Sequence, residues 1–268
     1  MKKSLKYIYL ALIALFLYAP IFVLIVFSFN TTKSHSVMSG FTLKWYAELF
    51  SDRTIMSSLL TTVIVAVSAS VISTALGTLA VFGINHMKRI PKTLALNVNN
   101  IPIINPEIVT GVSLMLLFVF FAARMNFKMG YITLIIAHIT FDTPYVVLNV
   151  LPRFRHMDKN LVDAAEDLGC NGVQAFFRVV LPEIMPGVIS GFLMAFTYSL
   201  DDFVVSYFVS GSSVQTLPIT IYSMTRKQVS PKINALSTLI FIVVTAVLVT
   251  KNAIEIRREK AFKSRNAV

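Results

Sequence analysis

Six long apolar runs dominate this 268-residue chain and leave few alternatives for its fold. Each run approaches the roughly 20 residues that an α-helix needs to cross the hydrocarbon core of a bilayer. Backbone N–H and C=O groups in lipid must pair within their own segment, so we expect each run to be helical. The runs cover residues 7–29, 55–84, 101–123, 131–151, 186–209 and 233–250. They predict an all-α polytopic membrane protein with six transmembrane helices, organised as a single membrane domain over residues 1–268.

The overall composition excludes an ordinary soluble domain. Hydrophobic residues make up 56% of the chain and charged residues only 14%. The first apolar run is longer than the core of a signal peptide, which is about 7–15 residues, and it lacks a small-residue cleavage site. It therefore predicts a retained anchor. Cys170 is the only cysteine, which rules out an intrachain disulfide or a cysteine-cluster metal site, and no other metal site is predicted.

The net charge of +11 is compatible with nucleic-acid binding, but the distribution of basic residues favours a membrane explanation. Most of the 24 Lys and Arg residues fall in residues 2–6, 88–92, 153–178 and 251–265, which share one side if both termini are cytoplasmic. Basic residues in short loops concentrate on the cytoplasmic side of a membrane. The chain is therefore predicted to have both termini and residues 158–185 in the cytoplasm, without a nucleic-acid partner.

The polar stretch at residues 158–185 predicts two short helices between the fourth and fifth spans. The first helix is predicted over about residues 161–168, with one apolar face formed at i, i+3, i+4, i+7 spacing by Leu161, Ala164, Ala165 and Leu168. Its acidic residues are expected to face water, and they are Asp163, Glu166 and Asp167. Gly169 is expected to end this helix, because glycine adopts the left-handed cap conformation at little cost. Asn171 is an expected N-cap for the second short helix, which Pro182 and Pro186 are expected to keep from running straight on.

Four carboxylates lie within the apolar runs, and they are Glu107, Asp142, Asp201 and Asp202. An acidic side chain at bilayer depth costs about 2.5–3.5 kcal/mol on insertion scales, so each one requires a physical reason. For Asp142, a hydrogen bond with His138, one helical turn earlier, is a sufficient structural reason. Asp201 and Asp202 point about 100° apart on a helix, so we expect one to be a ligand and the other a structural partner.

The spans contain almost no Lys or Arg to neutralise these acids, which favours a mobile cation as their partner. The amines of an extended polyamine could meet the carboxylates, and aromatic rings could hold its methylenes and charges through cation–π contact. A metal cation would prefer a tighter cage of oxygen ligands. The predicted substrate pathway consists of Glu107, Asp142, Asp201, Asp202, Tyr198, Phe203 and Tyr207.

The segment from Asp163 to Pro182 resembles the cytoplasmic loop motif of permease subunits in bacterial ABC importers. The shared order is an acidic residue, Ala-Ala, three residues, Gly, nine residues, then an aliphatic residue, any residue and Leu-Pro. Asp163 stands where that family usually has glutamate. The resemblance implies a type I ABC importer permease fold, in which the loop inserts into a groove of an ATPase subunit. The implied coupling positions are Asp163, Ala164, Ala165, Glu166, Gly169, Leu181 and Pro182.

Other segments resemble the permeases of spermidine/putrescine importers, and they are residues 28–30, 40–46, 138–141, 199–202, 208–211 and 230–235. This resemblance implies a bacterial cytoplasmic-membrane assembly with a second permease subunit, two ATPase subunits and an external polyamine-binding protein. The chain lacks a Gly-x4-Gly-Lys-Ser/Thr loop, so ATP and Mg²⁺ are expected on the ATPase and no cofactor on this chain. Trp45 and Tyr46 suit a short helix at the external membrane interface, where they could contact the receptor.

Three other functions are open on these patterns. An importer for iron, an anion or an amino acid would use the same loop, although Asp201 and Asp202 would repel an anion. A secondary carrier could use Glu107, Asp142 and His138 as a proton relay, and it would need no docking loop. A purely structural membrane protein is the third alternative. No catalytic residues are predicted, because the histidines are scattered and no nucleophile–base pair is evident, so the chain is not expected to be an enzyme.

Overall fold

The computed structural model describes residues 3–32, 37–125, 127–158, 160–227, 231–242 and 245–246. Its helices are α1 (Lys3–Phe27), α2 (Lys44–Ser51), α3 (Arg53–His86), α4 (Arg89–Ile104), α5 (Glu107–Met125), α6 (Tyr131–His156), α7 (Asn160–Asp167), α8 (Gly172–Ala175), α9 (Leu181–Asp201), α10 (Val204–Val209), α11 (Leu217–Lys227) and α12 (Pro231–Ile242). A π-helical segment, Phe176–Val180, joins α8 to α9. The chain divides into two compact units, one of residues 1–56 and 221–268 and one of residues 57–220. That it acts as a single membrane domain stays a prediction.

Five helical segments among the described residues are long and apolar enough to cross a membrane. They are Lys6–Phe27, Arg53–His86, Glu107–Met125, Tyr131–His156 and Gly172–Asp201. The sixth predicted span, residues 233–250, begins within α12, and most of its residues beyond Ile242 lie outside the described ones. The chain is therefore an all-α, multi-pass membrane protein.

The structure divides the third predicted span, residues 101–123, between two helices. α4 ends at Ile104, and Asn105 has an extended backbone with a ψ of 134°. Pro106 explains the break, because a proline ring disfavours helical backbone at the preceding residue. The start of the third span is therefore corrected from residue 101 to Glu107, which is the first residue of α5.

In the unit of residues 1–56 and 221–268, hydrogen bonds from α2 hold the chain that follows α1. The Trp45 indole N–H donates to the Asn30 carbonyl at 2.7 Å, and the Tyr46 hydroxyl pairs with Ser28 Oγ at 2.8 Å. Trp45 is only 6% exposed, so its ring supports this segment from the inside. The predicted short helix matches α2, whereas its position at a membrane interface and its contact with a receptor stay predictions.

In the unit of residues 57–220, α6 and α9 pack closely because glycine leaves room for the facing backbone. A Cβ atom on Gly191 would lie 3.2 Å from Val146 Cα, and one on Gly187 would lie 3.0 Å from the Asn149 carbonyl oxygen. Close approach at small residues is a general way for helices to associate within lipid, where apolar burial alone provides little driving force. The α6–α9 pair forms one wall of the candidate site.

Candidate functional site

A cavity of about 240 Å³ lies where α9 ends and α10 begins, with further walls from α4, α5 and α6. The structure brings together most of the predicted pathway residues around it, namely Glu107, Tyr198, Asp201, Asp202 and Phe203. Tyr207 is not part of the lining, although its ring lies 5.5 Å from that of Phe203. Contact between these residues and a substrate stays a prediction.

Two stacked tyrosines form part of the cavity wall. The ring centroids of Tyr145 and Tyr198 are 4.3 Å apart, and their planes are inclined by 19°. Phe141 lies one helical turn before Tyr145 and lines the same cavity. The sequence prediction omits Tyr145, although its four-residue spacing from Phe141 indicates that the two rings share a helix face.

The fifth predicted span, residues 186–209, is interrupted at Asp202 and Phe203. α9 ends at Asp201, and Asp202 has an extended ψ of 118°. The Asp202 carboxylate accepts backbone N–H groups from α10, Val205 at 3.2 Å and Ser206 at 2.7 Å. The start of a helix leaves such N–H groups unpaired, so Asp202 caps α10 from just before its first turn. Asp202 is therefore engaged by the backbone, while Asp201 is exposed at the end of α9.

His138, on α6, forms hydrogen bonds on both sides of this interruption. Its ring nitrogens pair with Ser199 Oγ at 2.5 Å and with Ser206 Oγ at 3.0 Å, and Nε2 lies 3.6 Å from Asp202 Oδ2. The predicted hydrogen bond between His138 and Asp142 is therefore wrong. Four-residue spacing indicates that two side chains share a helix face, but the serines that occupy the ring nitrogens come from other helices.

Asp142 is fully buried in α6, with 0% exposure. Within the described ranges, neither of its carboxylate oxygens has a hydrogen-bond partner. It does not line the cavity. Burial of a carboxylate without a hydrogen-bond partner is unfavourable. The predicted bond to His138 therefore does not explain why Asp142 is buried. The structure does not bring Asp142 onto the surface that the other predicted pathway carboxylates share.

The described residues do not neutralise two of the cavity carboxylates. Glu107 and Asp201 both line the cavity, and neither forms an ion pair with a described Lys, Arg or His. Nor does the described part of the chain contain a group of three or more His, Cys, Asp or Glu residues that could hold a metal ion. Carboxylates beside aromatic faces suit an organic ammonium group, which can use Coulomb attraction and cation–π contact together. The cavity lining therefore has the negative charge and aromatic faces that an organic cation would require.

The loop between α6 and α9 begins with α7, whose bounds, Asn160–Asp167, agree closely with the predicted helix over residues 161–168. α7 ends in a Schellman motif, in which Cys170 N–H donates to the Ala165 carbonyl at 3.0 Å and Gly169 N–H donates to the Glu166 carbonyl at 2.9 Å. Gly169 has a φ of +86°, a left-handed conformation that glycine adopts without a Cβ clash. The prediction that Gly169 ends this helix is confirmed.

The second helix of the loop is fixed at its start and against the core. Asn171 Oδ1 accepts the Gln174 N–H at 2.8 Å, and Gln174 Oε1 accepts the Asn171 N–H at 3.1 Å. This reciprocal pair is a capping box, and it confirms Asn171 as the N-cap. The buried Phe176 ring then packs edge-on against Phe82 of α3, with centroids 5.0 Å apart.

The prediction of a separate short second helix, kept from running on by Pro182 and Pro186, is wrong. The helix continues from Gly172 to Asp201, through both prolines. In the π-helical segment, the Leu181 N–H donates to the Phe176 carbonyl, five residues earlier. This wider turn comes directly before Pro182, which cannot donate to the carbonyl four residues before it. The widened turn therefore lets the helix continue where a regular α-helical hydrogen bond is impossible.

The apolar face predicted for α7 is mostly exposed rather than packed against this chain. Ala165 is buried and Val162 packs against the core, so α7 rests on these two residues. The large exposed apolar side chains, here called the apolar loop residues, are Leu161, Leu168, Val173 and Phe177. Of the other predicted coupling positions, Leu181 is partly buried, and the exposed ones are Asp163, Ala164, Glu166, Gly169 and Pro182.

Comparison with known proteins assigns the chain to a family. Residues 73–254 match the family "Binding-protein-dependent transport system inner membrane component". The putrescine transport system permease protein PotI of Escherichia coli K12 is 40% identical over 228 residues, which cover 84% of this chain and 81% of PotI. The spermidine/putrescine transport system permease protein PotC of Haemophilus influenzae is 34% identical over 239 residues, which cover 89% of this chain and 91% of PotC. From the family match and these relatives, the chain belongs to the binding-protein-dependent transport system inner membrane component family.

Proposed function

We propose that this chain is the permease subunit of an ATP-driven importer that moves polyamines, such as spermidine or putrescine, across the bacterial cytoplasmic membrane. The observation that carries the proposal is the cavity at the end of α9, where Glu107 and Asp201 lie near the stacked tyrosines without a cationic partner among the described residues. The names of PotI and PotC, which state putrescine and spermidine/putrescine transport, support the same class of solute.

The chemistry of the cavity suits a solute that must bind and then leave. Two unit charges 4 Å apart attract by about 4 kcal/mol at an effective dielectric constant of 20. A cation–π contact adds about 1 kcal/mol. One ammonium group held in both ways falls well short of the roughly 12 kcal/mol that corresponds to nanomolar affinity. The cavity would therefore select a cation without retaining it.

The exposed surface of the loop around α7 and α8 supports the proposal that a partner protein drives transport. Its apolar loop residues lie beside exposed acids, Asp163 and Glu166, so the same surface is poorly suited to lipid. In this proposal the loop and both termini are cytoplasmic, and the loop docks into an ATPase that carries ATP and Mg²⁺. Two ATPase subunits, a second permease and an external polyamine-binding protein complete the assembly, and this chain needs no cofactor of its own.

In the proposed cycle, ATP binding brings the ATPase subunits together and moves the α7–α8 loops with them. The contact of Phe176 with Phe82 provides a route by which loop movement reaches the transmembrane helices. Outward opening would let the receptor deliver a polyamine, and Glu107 and Asp201 would hold its ammonium groups. Return to the inward-open state would release it.

The rival functions receive less support. A proton relay through Glu107, Asp142 and His138 requires continuous hydrogen bonding, but His138 bonds to serines and Asp142 has no partner among the described residues. An importer for an anion would expose its solute to Glu107 and Asp201. Competition of iron or amino acids with labelled polyamine for uptake distinguishes an importer of those solutes from a polyamine importer.

The test is ATP-dependent uptake by the complete complex reconstituted in vesicles with its receptor. Labelled putrescine and spermidine are expected to accumulate, with weak competition from amino acids and ferric iron. Asp201→Asn is expected to weaken putrescine binding by the purified complex without receptor by about tenfold, because the lost charge contributes more than 1.4 kcal/mol. Uptake of amino acids or iron in place of polyamines would overturn the proposal.

The matched control keeps the charge at the same position. Asp201→Glu retains the carboxylate and lengthens its reach, so its binding of putrescine is expected to stay within about threefold of wild type. Equal weakening by Asn and Glu would mean that shape, rather than charge, governs this position. Uptake by vesicles that contain this chain alone would instead support a secondary carrier.

A further inference from the structure

Four polar side chains form a connected hydrogen-bond network next to the cavity. They are His138, Ser199, Asp202 and Ser206, with His138 at the centre. His138 is 1% exposed and Ser206 is 0% exposed, so neither ring nor hydroxyl is available to a solute. Hydrogen bonds in such surroundings are stronger than in water, and a broken one leaves an unsatisfied buried group. Of the four, only Asp202 lines the cavity, so His138, Ser199 and Ser206 act on the shape of the site and not as its surface.

The network lies where two closely packed helix pairs meet. One pair is α6 and α9, which approach each other at Gly191 and Val146. The other is α5 and α10, where a Cβ atom on Gly111 would lie 2.9 Å from Phe208 Cδ2 and 3.3 Å from Val205 Cα. Asp202 and Phe203, which lie outside both helices, join the two pairs. A joint of this kind needs side-chain contacts to hold a single geometry.

We propose that His138 is a positioning residue that clasps the last turn of α9 to the first turn of α10 and thereby fixes Tyr198 and Asp201 in the cavity. Its bond to Ser199 holds the residue that directly follows Tyr198 and stands two before Asp201. Its bond to Ser206 holds the residue whose N–H is capped by Asp202. The clasp thus acts on both sides of the interruption. The identity of the ligand as a polyamine rests on the function proposed above. The placement of Tyr198 and Asp201 by the hydrogen bonds of His138 does not.

The test compares His138→Phe with Ser58→Ala in the complete complex. Phe fills similar volume without either hydrogen bond, whereas Ser58→Ala removes a buried hydroxyl pair with Thr220, 2.7 Å long, away from the cavity. His138→Phe is expected to weaken the binding of labelled putrescine, measured without receptor, by about tenfold, which corresponds to 1.4 kcal/mol. Ser58→Ala is expected to change it by less than about twofold. Basal ATP hydrolysis is expected to stay within about twofold for both variants, which a general folding defect would not allow.

Two conservative variants separate the two bonds. The amide of Gln reaches about as far as Nε2 of histidine, and the amide of Asn about as far as Nδ1. His138→Gln is therefore expected to keep the Ser206 bond and recover most of the binding, while His138→Asn keeps the Ser199 bond. Recovery by neither, together with normal binding in Ser206→Ala and Ser199→Ala, would overturn the clasp.

The outcomes also separate this inference from the proposed function. If the wild-type complex binds no polyamine, the proposed function fails. If the wild type binds putrescine and His138→Phe binds it as well as Ser58→Ala does, the proposed function stands and the positioning role fails. If His138→Phe loses binding and ATP hydrolysis in parallel, His138 has only a folding role, and the inference is again overturned.

Discussion

The interruption between α9 and α10 and the loop of α7 and α8 distribute their side chains in opposite ways. At the interruption, His138 and Ser206 are at most 1% exposed and their polar atoms bond within the chain. In the loop, the apolar side chains of Leu168 and Phe177 are 87% and 60% exposed. The first region satisfies its polar groups internally, whereas the second leaves apolar area that only another surface can cover. A substitution at the interruption should thus alter the cavity itself, and one in the loop should alter coupling to a partner.

The largest expected effect comes from the loop. Gly169→Val places a β-branched side chain at a φ of +86°, which costs more than the 1–2 kcal/mol of an ordinary L-residue there. Nothing lies within 4 Å of the position a Cβ would take, so we expect the turn to relieve this strain by changing the direction from α7 to α8. Uptake per ATP hydrolysed is expected to fall at least about tenfold, while putrescine binding to the cavity is unchanged. The measurement is the ratio of imported polyamine to released phosphate.

A control exists three residues further along the loop. A Cβ on Gly172 also meets open space, but Gly172 has no positive φ. Gly172→Val is therefore expected to keep the wild-type ratio of uptake to ATP hydrolysis. If Gly169→Val also lost putrescine binding to the cavity, the loop and the interruption between α9 and α10 would not have separate roles.

An intermediate effect is expected at the interruption. Asp202→Ala removes the acceptor of two backbone N–H groups of α10 and should lower the free energy of unfolding by about 1 kcal/mol. Asp202→Asn keeps an acceptor oxygen, and Asn caps helices about as well as Asp, so its stability should stay near that of the wild type. Thermal unfolding of the detergent-purified chain measures both. Equal unfolding midpoints for Ala, Asn and wild type would argue against capping as the role of Asp202.

The smallest effect is expected at Asp142. Its carboxylate has no hydrogen-bond partner among the described residues, so Asp142→Asn breaks no observed bond and leaves the cavity lining intact. Putrescine binding is expected to stay within about twofold of wild type, which is less than about 0.5 kcal/mol. Equilibrium binding to the purified complex checks this value. A loss as large as that of Asp201→Asn would extend the substrate site beyond the cavity and into α6.

Local features of the chain were predicted well. The left-handed Gly169 and the N-cap Asn171 depend on residues only a few positions apart, so sequence neighbours contain the necessary information. The second span, predicted at residues 55–84, agrees within two residues at each end with α3 at Arg53–His86. The continuation through Pro182 was missed, because the compensating π-helical turn has no clear sequence signal.

The candidate site was predicted in composition but not in arrangement. The sequence singled out Glu107, Asp142, Asp201 and Asp202, because charge within an apolar run is costly and conspicuous. The structure places all of these except Asp142 at the cavity, and their contact with a substrate stays a prediction. The choice between Asp201 and Asp202 could not be made, since it depends on which carboxylate caps α10. The partner of His138 was predicted as Asp142, four residues along the same helix, whereas serines 61 and 68 residues away in sequence occupy its ring nitrogens.

The sequence by itself determined that this protein crosses a membrane as helices and carries a polar loop between its fourth and fifth spans, because apolar length and local capping are properties of short segments. Only the tertiary structure decided that Glu107, Tyr145 and Asp201 share one cavity, that Asp202 turns onto α10 and that Asp142 lies apart from both. The physical reason is that hydrogen bonds and close helix contacts are made between distant segments, and many partners satisfy the same periodicity. Packing selects one of them, and with it the position of each charge.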